Sequence, residues 1–247
     1  MRFSREEDRI TAGRITALRV TPDDPQGLIV WYHGWSSAAA GQLTRARIWA
    51  DAGWEVIIPS VPYHDDRGTI DYEASSSYPL FWETVLRQVT EARIWTEYAA
   101  QRGYDGFVTA GHSLGGCTAL GVAAHTDAVR AVIAINGSGH WPLTHLFMQA
   151  RFGVRYELAP DLAQRLETLS PHTAAKRLAG LPVRLVHGVR DTTVDARADR
   201  TFADLVREAG GKVIWQDVPE AGHAVTTSMM DDAVTTLSAV RYSKRRS

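Results

Sequence analysis

The chain has 247 residues, and its 27 Lys and Arg against 28 Asp and Glu leave a formal net charge of −1. That balance supplies no field to draw nucleic acid or acidic lipid, and 45% hydrophobic with 22% charged residues excludes a disordered or fibrous chain. The single cysteine, Cys117, excludes an internal disulfide framework, no run approaches the ~18 apolar residues of a membrane span, and the opening MRFSREEDRI lacks the apolar core of a signal peptide, so a cytoplasmic protein with no nucleic-acid or membrane partner is expected.

Taken in chain order, residues 14–20 alternate imperfectly through Ile15, Ala17, Leu18 and Val20 and predict an antiparallel edge strand. Residues 28–32 and 54–58 are near-continuous Val and Ile runs, the pattern of strands buried on both faces. The polar segment 60–79, with DDRG and SSS, reads as a loop, and 81–101 as a helix. A short strand at 106–110 runs into GHSLGG, a helix follows over 114–125, and 129–135 is the next buried strand. Residues 140–176 are helical in character but interrupted by Pro160 and Pro171. A strand at 183–186, a helix over 195–209, the turn Gly210-Gly211 and a last strand at 212–218 complete the pattern, and the basic run 241–246 reads as a frayed helix end.

Strands alternating with helices imply crossover connections and a mostly parallel sheet. Without internal repeats or a long linker, the expectation is one doubly wound α/β domain over 1–247. The segments 60–79 and 140–176 fit the alternation poorly, and 140–176 is expected to form a small helical lid over the carboxyl ends of the strands.

The strongest chemical signal is Gly111-His112-Ser113-Leu114-Gly115-Gly116. A G-x-S-x-G match is weak alone, but here it follows a strand and opens a helix, the setting of a nucleophile elbow. A helix-capping serine would explain Ser113 but not three flanking glycines, which remove Cβ atoms where strand and helix meet. Serine attacks only when a base takes its proton. His223 in Pro219-Glu220-Ala221-Gly222-His223 follows the last strand and is the candidate base; His33, His125 and His187 have structural readings, and His112 is too close in sequence to fold back onto the serine. Asp191, three residues after Gly188, is the candidate acid that orients the imidazole, with Asp195 the competitor and a helix-capping role open to it. The other common acid position, after the strand 129–135, holds Asn136. A tetrahedral oxyanion needs two N–H donors, and Leu114 and Trp35 are the candidates.

The series HGW at 33–35, GHSLGG at 111–116, HGVRDTTV at 187–194 and EAGH at 220–223 resembles the α/β-hydrolase superfamily over residues 28–227. PYHDDRG and FWETVLRQV resemble the small bacterial carboxylesterases of the dienelactone hydrolase and prolyl oligopeptidase branch. Dienelactone hydrolases carry a cysteine nucleophile where this chain has Ser113. The resemblance implies an esterase with Ser113, Asp191 and His223 as its triad. The insert 140–176, charged, broken by prolines and without a long apolar stripe to dock on lipid, is expected to cover a pocket for small or short-acyl carboxylic esters, and no cofactor or metal is expected. A thioesterase or small serine peptidase of the same fold, or a binding protein that has lost catalysis, are the alternatives. Trp35 and Trp141 are candidates to line the acyl pocket from loops above the strands. Phe81 and Trp82 read as helix or lid core, Cys117 as a packing residue, and His140 and His145 lack the HExxH context of a zinc site.

Overall fold

The computed structural model describes residues 5–237; the basic run 241–246 lies outside them. Strands β1 (Arg5–Ala12) and β2 (Ile15–Pro22) form a hairpin, followed by β3 (Leu28–Tyr32), α1 (Leu43–Asp51), β4 (Glu55–Pro59), α2 (Tyr78–Gln101), β5 (Phe107–His112) and α3 (Leu114–His125). Then come β6 (Val129–Ile135), α4 (Trp141–Phe152), α5 (Pro160–Leu169), α6 (Ala175–Leu178), β7 (Val183–Gly188), α7 (Ala196–Glu208), β8 (Val213–Val218) and α8 (Thr227–Leu237). The sheet order is β1-β2-β4-β3-β5-β6-β7-β8. β1 pairs antiparallel with β2 and β2 antiparallel with β4; every other pairing is parallel.

The apolar strands are buried on both faces because helices cover both. In β3 the period of two sends Leu28, Val30 and Tyr32 into the core beneath α2 and α3, while Ile29 and Trp31 enter the core beneath α1 and α8. Each large apolar side chain removed from water in this way contributes about 1.5–3 kcal/mol. α3 is buried on all sides, which suits its uniformly small and apolar sequence LGGCTALGVAA.

The expected edge strand at 14–20 is antiparallel but is not the edge. β1 covers it, and the charged sequence REEDRITA, mostly exposed, gives β1 no apolar alternation to read; charges of this kind are how natural sheets protect an edge. Between β6 and β7 the chain makes a helical excursion, in which α5 packs on α2 and α4 on α7. No helix among the described residues is long and apolar enough to cross a membrane.

The strand order fixes where a site can form. From β3 the chain winds outward to β4 and then returns to the other side of β3 as β5, so the connections leaving β3 and β5 diverge to opposite faces. The crevice at the carboxyl ends of these two strands is the topological switch point at which α/β sheets bind ligands. The residues following β3 are His33, Gly34 and Trp35, and the residue following β5 is Ser113.

Candidate active site

Ser113 stands alone between the end of β5 and the start of α3, with φ 57° and ψ −120°. A non-glycine residue in this region costs on the order of 1–3 kcal/mol and persists only when its surroundings dictate it. Here the two flanking glycines permit the crossing. A Cβ on Gly111 would collide with the Gly115 carbonyl oxygen, and one on Gly115 with the Tyr32 carbonyl oxygen of β3. The serine N–H is tied to Ile135 O at 2.9 Å, and Oγ is left at the crevice.

His223, in the loop between β8 and α8, reaches this edge. Its Nε2 is 2.9 Å from Ser113 Oγ and its Nδ1 is 2.8 Å from Asp191 Oδ2. The histidine side chain is 27% exposed, the aspartate side chain only 1%. Burial works against a charged Asp191, but the hydrogen bonds from His223 and from the N–H groups of Thr193 and Val194, at 2.7 and 3.0 Å, outweigh it and hold the carboxyl below the usual range. The carboxylate is therefore ionised at neutral pH and faces an imidazole N–H. Asp195 is elsewhere engaged: its Oδ1 caps α7 by accepting from Arg197 N at 2.9 Å, and its carboxylate pairs with the Arg197 guanidinium.

The two backbone N–H groups expected to face an oxyanion are those of Leu114 and Trp35, and Gly34, which precedes Trp35, lies against Ser113: a Cβ on it would be 3.4 Å from the serine Cβ. The N–H of Leu114, at the first position of α3, has no intrahelical partner by construction. That of Trp35 lies in the turn closed by Ser37 N to Gly34 O at 3.3 Å. The polar segment after β4, which the sequence marked only as a loop, fastens this turn: Ser36 N donates to His64 Nε2 at 3.1 Å, and His64 Nδ1 donates to Pro62 O at 2.8 Å. Asp65 accepts from Ala39 N at 2.9 Å and lies 3.2 Å from His33 Nε2. Burial holds the His64 imidazole below its usual range, which preserves the lone pair that receives the Ser36 N–H.

The two tryptophans separate. Trp35 is half-buried in the turn, packed edge-on against His64, Tyr72 and Phe81, with its indole donating to Tyr72 O at 3.2 Å. Trp141 does not stand on a loop and lines no open pocket. It is the first residue of α4, fully buried, with its ring against Trp82 and over Gly121 of α3; Pro142 behind it favours a helix start, and the absent side chain at Gly121 makes room for the indole. Phe81 and Trp82 are core.

The remaining histidines have other partners. His112 points away from the serine, its Nε2 donating to His223 O at 2.6 Å, and burial lowers its pKa to about 3. His187 is buried, donates through Nε2 to Val194 O and stacks on Trp215. Cys117 is buried and its thiol is pushed up to about 12 by desolvation, so it stays a thiol. Among the described residues no group of three or more His, Cys, Asp or Glu could hold a metal ion.

A mostly parallel eight-stranded sheet wrapped by helices, with a serine on a strained strand-to-helix turn, is the α/β-hydrolase fold. Residues 85–239 match the prolyl oligopeptidase family, and the chain belongs to it, a hydrolase of the branch that also holds the dienelactone hydrolases. It is 26% identical over 230 residues to the esterase YjfP of Escherichia coli K12, covering 86% of this chain and 88% of that protein. Among solved structures, TT1662 from Thermus thermophilus superposes with a TM-score of 0.81 at 24% identity over 95% of this chain and 97% of that one. The acylaminoacyl peptidase of Pyrococcus horikoshii shares the fold with a TM-score of 0.68 at 15% identity, over 90% of this chain but 38% of the peptidase.

Proposed function

We propose that this hydrolase is a serine carboxylesterase acting on small or short-acyl esters through an acyl-enzyme. One observation carries the reading: the line from Ser113 Oγ through the His223 imidazole to Asp191, with links of 2.9 and 2.8 Å. In the forward step His223 Nε2 takes the serine proton as Oγ bonds to the ester carbonyl carbon. The carbonyl electron pair moves to oxygen, where the N–H groups of Leu114 and Trp35 receive it. The imidazolium, held by Asp191, then returns its proton to the departing alcohol as the C–O bond breaks. Water enters in the alcohol's place and bonds to the acyl carbon as it loses a proton to His223; the imidazolium then returns that proton to Ser113 Oγ as the bond between Oγ and the acyl carbon breaks, releasing the acid and restoring the free serine. The similarity to an esterase supports an ester over an amide.

Compact acyl groups are preferred because the serine is 6% exposed and aromatic side chains crowd the turn beside it. The excursion 140–176 serves as the lid over this pocket. The test is a fluorophosphonate label followed by a panel of p-nitrophenyl esters from C2 to C16, with p-nitroanilides and thioesters alongside. Wild-type protein should label at Ser113 and turn over C2 to C4 esters fastest, and Ser113→Ala should lose labelling together with orders of magnitude in kcat. Near wild-type turnover by a folded Ser113→Ala protein, or faster turnover of C12 to C16 esters, would overturn the nucleophile or the pocket respectively.

A further inference from the structure

Five non-glycine residues among those described adopt positive φ: Ser36, Tyr63, Asp65, Ser113 and Asn136. They follow β3, β4, β5 and β6 at the carboxyl edge, so the unusual backbone of this molecule is concentrated around one crevice. Ser113 is explained by the elbow, and Ser36, Tyr63 and Asp65 belong to the turn and loop joined through His64. Asn136, fully buried at φ 49°, follows directly on Ile135, whose carbonyl receives the Ser113 N–H. Its side chain joins two other loops. Oδ1 accepts from Gly188 N at 2.8 Å, and Nδ2 donates to Gly222 O at 3.2 Å and to His223 O at 3.0 Å.

Gly188 ends β7 and begins the turn of Asp191, whose N–H returns to Gly188 O at 3.0 Å. The carbonyl of His223 belongs to the residue that faces the serine. One amide therefore grips the acid's loop with its oxygen and the base's own backbone with its nitrogen. We infer that Asn136 is a positioning residue that sets the Asp191–His223 pair in register with Ser113 by holding both loops, an inference that rests on the serine-hydrolase reading above.

The chemistry selects the residue type twice. A left-handed backbone admits asparagine more readily than other residues with a β-carbon. The three partners are one donor and two acceptors, which a carboxamide matches and a carboxylate does not, since an ionised Asp has no proton to give Gly222 O or His223 O. His112 Nε2 shares His223 O, at 2.6 Å, so loss of the amide loosens the base's anchor without freeing it. A displacement of the order of an ångström at the pair is enough to cost about 10²-fold in rate.

Two variants separate side chain from backbone. Asn136→Gly keeps the positive φ and deletes the amide, and Asn136→Asp keeps the shape and the acceptor while deleting both donors. Each should fold, lower kcat on p-nitrophenyl acetate by about 10- to 100-fold with KM within about threefold, and slow fluorophosphonate labelling of Ser113 in step. Each should also move the acid limb of the kcat/KM pH profile, and shift or broaden the downfield proton resonance of His223 Nδ1–H. A residue that merely stitched the fold would lower the melting temperature and leave the profile and the resonance of the folded fraction alone. Wild-type kcat in either folded variant, an unmoved pH limb with reduced kcat, or loss of folding in both variants overturns the inference. Ser113→Ala run in parallel keeps the two readings apart: if it retains activity the serine reading itself has failed, whereas an inactive Ser113→Ala protein beside fully active Asn136 variants sinks only the role of Asn136.

Discussion

At the residue scale, Asp191 and Asp195 show how two carboxylates four positions apart divide their labour. Asp191 lies within the turn leaving β7, buried, receiving one imidazole N–H and two backbone N–H groups; Asp195 sits at the head of α7 with a guanidinium on one side. Asp191→Asn removes the charge that favours the imidazolium and, by presenting an NH2 group, competes with the tautomer in which Nδ1 carries the proton. Turnover should fall roughly 10³- to 10⁴-fold with the fold intact. Asp195→Asn keeps a helix cap of nearly equal quality and loses a pair exposed on the arginine side, so kcat should stay within about twofold and stability within about 1 kcal/mol. Steady-state kinetics and thermal melts of both variants check this, and a collapse of turnover in Asp195→Asn with Asp191→Asn active would reverse the assignment.

At the scale of elements, the seam between β3, β5 and α3 sets glycine's packing role against its helix propensity. Gly115 lies in the first turn of α3 in an ordinary helical conformation, where alanine would on propensity alone add up to about 1 kcal/mol. The same Cβ would run into Tyr32 O, a backbone atom in the middle of a sheet that cannot rotate aside. Overpacking of this kind typically costs 1–3 kcal/mol and here forces α3 away from β3. Gly115→Ala should therefore melt lower and, because Ser113 and Leu114 move with the helix start, lose most of its esterase activity; an unchanged melting temperature with full activity would show that the seam yields. The strands β3 to β7 were legible because burial on both faces writes continuous apolar runs, and Ser113, Asp191 and His223, singled out from strand–turn context, come together at one edge. β1 was not legible, since a charged edge strand carries no such run. Neither were the parts of His64, Asp65 and Asn136: their partners lie 28, 26 and 52 or more positions away, and no local pattern records them. Trp141 was misplaced for the same reason, its burial depending on a glycine in α3.

At the scale of the whole molecule, stability carries a pH dependence from a group outside the crevice. Asp199 of α7 is fully buried; its Oδ1 accepts from Gly139 N at 3.2 Å, and its Oδ2 has no hydrogen-bond partner among the described residues. Desolvation pushes its pKa up to about 8, while in the unfolded chain an aspartate titrates near ~3.9. Between those two values the folded protein holds a proton that the unfolded chain has released, so the unfolded state binds fewer protons and stability falls as pH rises. The slope is about 1.4 kcal/mol per pH unit from this group, flattening below ~4, where both states are protonated, and above about 8, where both are ionised. Asparagine keeps the oxygen that receives Gly139 N and cannot ionise. Relative to wild type, Asp199→Asn should gain stability steadily from pH 5 to pH 8, by a few kcal/mol across the interval, while every titration common to both proteins cancels in the difference. Urea unfolding at pH 5, 6.5 and 8 measures it. A wild-type-minus-variant difference that stays constant over that range would mean that the buried carboxyl finds a partner or water when it ionises, and that the pH dependence of this fold has another source.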